Sequence, residues 1–123
     1  MDTESLIRKI IDLPDQFKKV RNKSIITLLK ESGYVESFDE INKNNIAELL
    51  GKYPEKINYW LIWSDDKRSR SGWYFIRENE NLFKIGYLPK DKKVDELKYT
   101  NKILACAAYI KLELEDIRMN YCS

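Results

Sequence analysis

Ile103, Ala107, Ile110, Leu114, Ile117 and Tyr121 follow one another at steps of four and three residues, and Leu104, Ala108 and Leu112 widen the same stripe. That spacing predicts one long helix near the end of the chain, with a broad apolar face that has to be covered. Its turn Ala105-Cys106-Ala107-Ala108 carries little bulk, so a sheet or another helix can approach closely there. Large rings such as Trp60 or Trp73 are candidates to fill the space.

Upstream, the same periodicity appears in shorter pieces. Leu6, Ile7, Ile10 and Ile11 share a face behind a cap at Thr3 or Ser5, and Pro14 interrupts or restarts the helix. A second pattern holds Phe17, Val20, Ile25, Leu28 and Leu29, stopped by Gly33. A third holds Ile46, Leu49 and Leu50 and ends at Gly51 and Pro54. Ser37-Phe38-Asp39-Glu40 has the form of a capping box.

From Ile57 the period changes to two. Residues 57–64, 72–78 and 82–88 are aromatic-rich runs parted by turn formers, Asn79-Glu80-Asn81 among them, and predict a three-stranded antiparallel meander. Apolar residues fall on both faces of the first run: Tyr59, Leu61 and Trp63 on one, Trp60 and Ile62 on the other. Helices are therefore expected on both faces, or an exposed aromatic patch on one. Pro89-Lys90-Asp91-Lys92-Lys93 reads as a solvated connector to the long helix. The expected architecture is one α+β domain over residues 1–123, with helices packed on a small antiparallel sheet. A chain of 123 residues with 43% hydrophobic residues is long enough to close one core.

Charge and residue content narrow the function. Twenty-two basic residues stand against twenty acidic ones, a net +2. That is far from the basic excess of a dedicated nucleic-acid binder, although Lys18, Lys19, Arg21 and Lys23 form a local basic group. The acidic opening residues and the absence of a long apolar run predict a cytoplasmic protein without a membrane span. Cys106 reads as a buried small hydrophobe and Cys122 as a free thiol, with no disulfide between them.

Histidine is absent, which removes the commonest general base and the commonest nitrogen ligand for zinc. No glycine-rich phosphate loop is present. Ser64-Asp65-Asp66-Lys67 matches the serine–lysine spacing of the penicillin-binding hydrolases. That chemistry needs a helical turn to bring the two together and a companion Lys-Thr-Gly strand, which this sequence lacks. Glu113, Glu115 and Asp116 are candidates for a shared hard cation, set against the plainer reading of a solvated helix face. The chain is expected to be no enzyme and to need no cofactor.

What remains is the segment from Asp65 to Ser71, set between two aromatic runs that hold all three tryptophans. It reads either as a hairpin tip or as a recognition loop. In the second reading Asp65, Asp66, Lys67, Arg68 and Arg70, with Trp73 beside them, meet a partner. Mixed charge suits a specific protein surface better than a uniform polyanion.

Leu49-Leu50-Gly51-Lys52-Tyr53-Pro54, followed by Trp60-Leu61-Ile62-Trp63-Ser64-Asp65-Asp66-Lys67-Arg68 and Ser71-Gly72-Trp73-Tyr74-Phe75, resembles small bacterial immunity partners of secreted polymorphic toxins, including those of contact-dependent growth inhibition. The resemblance covers the middle third of the chain. It implies a non-enzymatic protein that binds a cognate toxin domain and blocks its active site or its access to substrate. Immunity proteins against cationic nucleases are often acidic, whereas this chain carries +2. Its toxin is then weakly cationic, or its acidic contacts are local. The alternative from another class is a small nucleic-acid-binding module that uses the basic loop and the neighbouring aromatics.

Overall fold

The structure is a computed structural model, and it describes residues 3–20, 22–67, 72–88 and 96–122. Helices α1 (Thr3–Ile11) and α2 (Leu13–Lys19) are followed by α3 (Ile25–Ser32), the single turn α4 (Tyr34–Ser37) and a 3-10 turn over Phe38–Glu40. Then come α5 (Lys43–Lys52), α6 (Lys56–Lys67), strands β1 (Gly72–Asn79), β2 (Leu82–Leu88) and β3 (Leu97–Tyr99), and the long α7 (Lys102–Tyr121). The α+β architecture expected from the sequence is present.

Local chemistry sets most of the boundaries. Pro14 lies in the first turn of α2, where its missing N–H costs nothing. The Ser24 hydroxyl caps α3 by accepting the Thr27 N–H at 3.1 Å, which splits the helix predicted across Phe17 to Leu29 into α2 and α3. Gly33 ends α3 in the left-handed conformation at φ 93°. The capping box is not at Ser37. Asn42 and Asn45 exchange side-chain and backbone hydrogen bonds at 3.0 and 2.9 Å to start α5. That helix runs through Gly51 and stops at Tyr53. Asn101 caps α7 by accepting two backbone N–H groups, those of Ile103 and Leu104.

The largest departure is α6. Residues 57–64, expected as the first strand, are helical, and the third strand of the meander is β3. The sheet order is β1-β2-β3, with both pairs antiparallel. The hairpin at Asn79-Glu80-Asn81 is as expected, with the Asn79 side chain accepting the Asn81 N–H. A twelve-residue run with β-branched residues only at Ile57 and Ile62 has little to hold it as a strand. Aromatic content alone does not separate a strand from a buried helix. The connector predicted at Pro89–Lys93 lies outside the described residues.

Helix α7 packs against the sheet and against α3, α5 and α6. Residues 105 to 110 are buried in succession, because this turn is enclosed all round, which the small side chains permit. Tyr109 is the hub: its ring stacks on Phe75 at 5.4 Å and meets Trp60 edge-on at 6.1 Å. Trp60 itself is buried, and its Nε1–H donates to the Ile11 carbonyl at 3.0 Å. Cys106 is buried and Cys122 half-buried, both as free thiols. Among the described residues, no helix is long and apolar enough to cross a membrane.

Candidate functional site: an aromatic groove with carboxylate walls

Four helices and the sheet leave a groove of about 890 Å³ between them, within the range of roughly 300–1,000 Å³ typical of binding pockets. Each element contributes one stripe. Helix α6 supplies Tyr59, Trp63 and Asp66 at spacings of four and three, which is one helical face. Glu113, Asp116 and Ile117, then Asn120 and Tyr121, do the same on α7, and Pro14, Phe17 and Lys18 on α2. Ile25 and Ile26 of α3 and Tyr87 of β2 complete the lining. Five aromatic rings and three carboxylates face one lysine.

The walls are fixed by internal contacts. Trp63 meets Phe17 edge-on, with centroids 5.3 Å apart and planes at 85°. Its Nε1–H donates to Glu113 Oε2 at 2.9 Å, which holds the indole across the seam between α6 and α7. The same carboxylate oxygen accepts the Tyr109 hydroxyl at 3.3 Å. Burial, followed by the Glu113 charge, pushes the Tyr109 phenol well above its ordinary value. On the sheet side, Tyr87 packs edge-on against Trp73 at 5.2 Å. Burial raises the Tyr87 phenol as well, and the charges of Asp116 and Glu113 add to the rise, so this part of the groove sits in a negative field.

The sequence-derived site residues divide accordingly. Asp65 and Asp66 are not on a hairpin tip: both lie in the last turn of α6, exposed, and Asp66 lines the groove. Trp73 is half-buried on β1, one ring away from the groove through Tyr87. Lys67 closes α6, while its side chain, Arg68 and Arg70 lie outside the described residues. The loop between two strands is therefore a link from a helix to a strand.

Ser64 and Lys67 do share a helical turn, yet the hydroxyl is buried. It accepts the Phe75 N–H at 2.6 Å, so Ser64 ties α6 to β1 instead of facing a substrate. The acidic trio of α7 does not converge. Glu113 points into the core side of the groove, and Asp116 accepts the Asn120 side chain at 2.8 Å. Glu115 turns away to Arg118 and to the Tyr34 hydroxyl, at 2.8 and 2.7 Å. Neither the cation site nor the plain solvated face describes it. In the basic group, Lys19 pairs with Asp15 and Lys23 with Glu31, Lys18 borders the groove, and Arg21 lies outside the described residues.

Comparison with protein-family models, curated proteins and solved structures finds no match for this chain.

Proposed function

We propose that the chain is an immunity protein, a binder that neutralises a cognate toxin domain without turnover of its own, and that the groove is part of its contact surface. The observation that carries this is that Asp66 of α6 and Asp116 of α7 line one groove with five aromatic rings, the buried Glu113 carboxylate lying behind the Trp63 indole. A chain of net charge +2 needs local acidic contacts to engage a basic toxin, and the groove is such a place. Its rings and its hydrogen-bonded indole are preorganised, which lowers the ordering cost of association. The alternative of a nucleic-acid module gains nothing from this surface, since three carboxylates repel a phosphate backbone.

The test begins with the reading frame beside the gene. Its product, co-expressed with this chain, should copurify as a stoichiometric complex, and cells expressing it should survive only when the chain is present. Failure of both capture and protection refutes neutralisation. Strongly salt-dependent binding of RNA or DNA in its place would move the protein to the nucleic-acid class.

A further inference from the structure

We infer that the groove is an arginine-recognition site: it takes a guanidinium-bearing segment of the protein partner, clamped between Asp66 of α6 and Asp116 of α7 over the Trp63 ring. This rests on the binding reading above and adds the chemistry of the occupant.

Charge complementarity selects a cation, because the exposed Asp66 and half-buried Asp116, with the field of the buried Glu113 behind them, outweigh Lys18 in the lining. The rings select which cation. A guanidinium is planar and weakly hydrated, so it stacks on an aromatic face while forking to carboxylates, whereas an ammonium is a strongly hydrated point charge. The molecule uses this arrangement elsewhere on its own surface. Arg118 lies 3.6 Å over the Phe38 ring and forks to both oxygens of Glu115 at 2.8 and 3.1 Å.

Asp66 adds an independent point. It lies near the C-terminal end of α6, where the negative end of the helix dipole disfavours an anion. The sequence keeps a carboxylate where local helix electrostatics oppose it, one helical turn beyond Trp63 and facing the groove. An incoming cation would relieve that conflict.

The probe is a twelve-residue peptide carrying four arginines, compared with its lysine and glutamate counterparts by calorimetric titration. The indole N–H resonance of Trp63 provides a second readout. The arginine peptide should bind saturably and shift that resonance, the lysine peptide should bind about tenfold more weakly, and the glutamate peptide should not bind. Asp66→Asn with Asp116→Asn should weaken the arginine peptide at least tenfold with the melting temperature unchanged or slightly raised.

Equal binding of the lysine peptide, no binding of the arginine peptide, or undiminished binding to the double variant overturns the inference. A toxin complex that the double variant forms undiminished also refutes the arginine site and leaves neutralisation standing. A parent chain that binds the arginine peptide at these groups but neither captures nor neutralises toxin refutes neutralisation alone.

Discussion

Replacing Trp60 by Phe isolates the tie between the α6 helix and the end of α1. The ring is buried against Tyr109, and its N–H serves the carbonyl of Ile11, the last residue of α1. That carbonyl has no helical partner of its own, because the helix ends there. Phe keeps most of the ring but leaves a void of roughly 40 Å³, worth about 1 kcal/mol at about 24 cal/mol per Å³. It also orphans the carbonyl in a site closed to water, which costs about 1–3 kcal/mol. The expected loss is therefore about 2–4 kcal/mol, against a total stability on the order of 5–15 kcal/mol.

Urea unfolding followed by far-ultraviolet circular dichroism measures it, since helix signal survives the loss of a fluorophore. Trp60→Ala should lose more than Trp60→Phe, approaching the whole stability. Trp73→Ala should lose only about 1–2 kcal/mol, because its ring is half-exposed and gives back less apolar area. A Trp60→Phe protein within about 0.5 kcal/mol of the parent, the scatter of ordinary surface changes, refutes the reasoning. So does a Trp73→Ala protein less stable than Trp60→Ala, since the core would then lie on the other side of the sheet.

Gly86→Ala should cost about 1–3 kcal/mol, because a Cβ there would collide with the ring of Tyr74, its cross-strand partner. Denaturation of the Gly86→Ala, Tyr74→Ala double variant should show that most of this cost has vanished. The Tyr74 phenol is raised to about 12 by burial and by its hydrogen bond to Glu96, so ultraviolet titration should find it among the late-ionising tyrosines with Tyr34, Tyr87 and Tyr109, and Glu96→Gln should move its step alone back down. Its contribution to stability is full below the ordinary tyrosine range near 10 and is lost as pH rises through about 12. Burial alone would raise the Glu115 carboxyl, but hydrogen bonds from Arg118 and Tyr34, with the Lys111 charge, outweigh it and hold it below its ordinary value. The stability it lends is present above the ordinary carboxylate range and fades as pH falls through the depressed value. Glu115→Gln should therefore flatten the acid limb of a melting-temperature profile, and an unchanged limb would show the network contributes nothing.

Where the sequence was legible, one physical signal dominated each segment. The stripe of α7 repeats over five steps, Gly33 is a stop that needs a left-handed residue, and Asn79-Glu80-Asn81 can only turn. Where it was not, two signals coincided. In Tyr59-Trp60-Leu61-Ile62-Trp63, apolar residues occupy every position, so a period of two and a period of 3.6 fit equally well. Helix α6 needs that density because two of its faces are covered differently. Ile57, Trp60 and Ser64 enter the core, while Tyr59, Trp63 and Asp66 face the groove. Strand β3 is three residues long, too short for its period to register against the surrounding charge.

The helix also changes which residues share a surface. As a strand, 57–64 would have ended at a tip where Asp65 and Asp66 were turn formers, leaving the arginines as the contact. As a helix, it places Asp66 seven residues after Tyr59 and three after Trp63, on one face with both, and the carboxylate becomes a wall of the groove. Helix α7 brings Glu113 and Asp116 to the same space at the same three-residue step, although nothing in the sequence links residue 66 to residue 116. The packing of α6 on α7 joins them, and at the groove the tie is the hydrogen bond from Trp63 to Glu113. Its removal is thus the sharpest discriminator between scaffold and surface. Trp63→Phe should keep the fold, since the ring is half-buried and the Phe17 contact survives, yet leave the groove wall free to rotate. If groove preorganisation matters for binding, the loss should appear as faster dissociation, on top of the about 1–3 kcal/mol of stability lost by taking a donor from the buried Glu113 carboxylate.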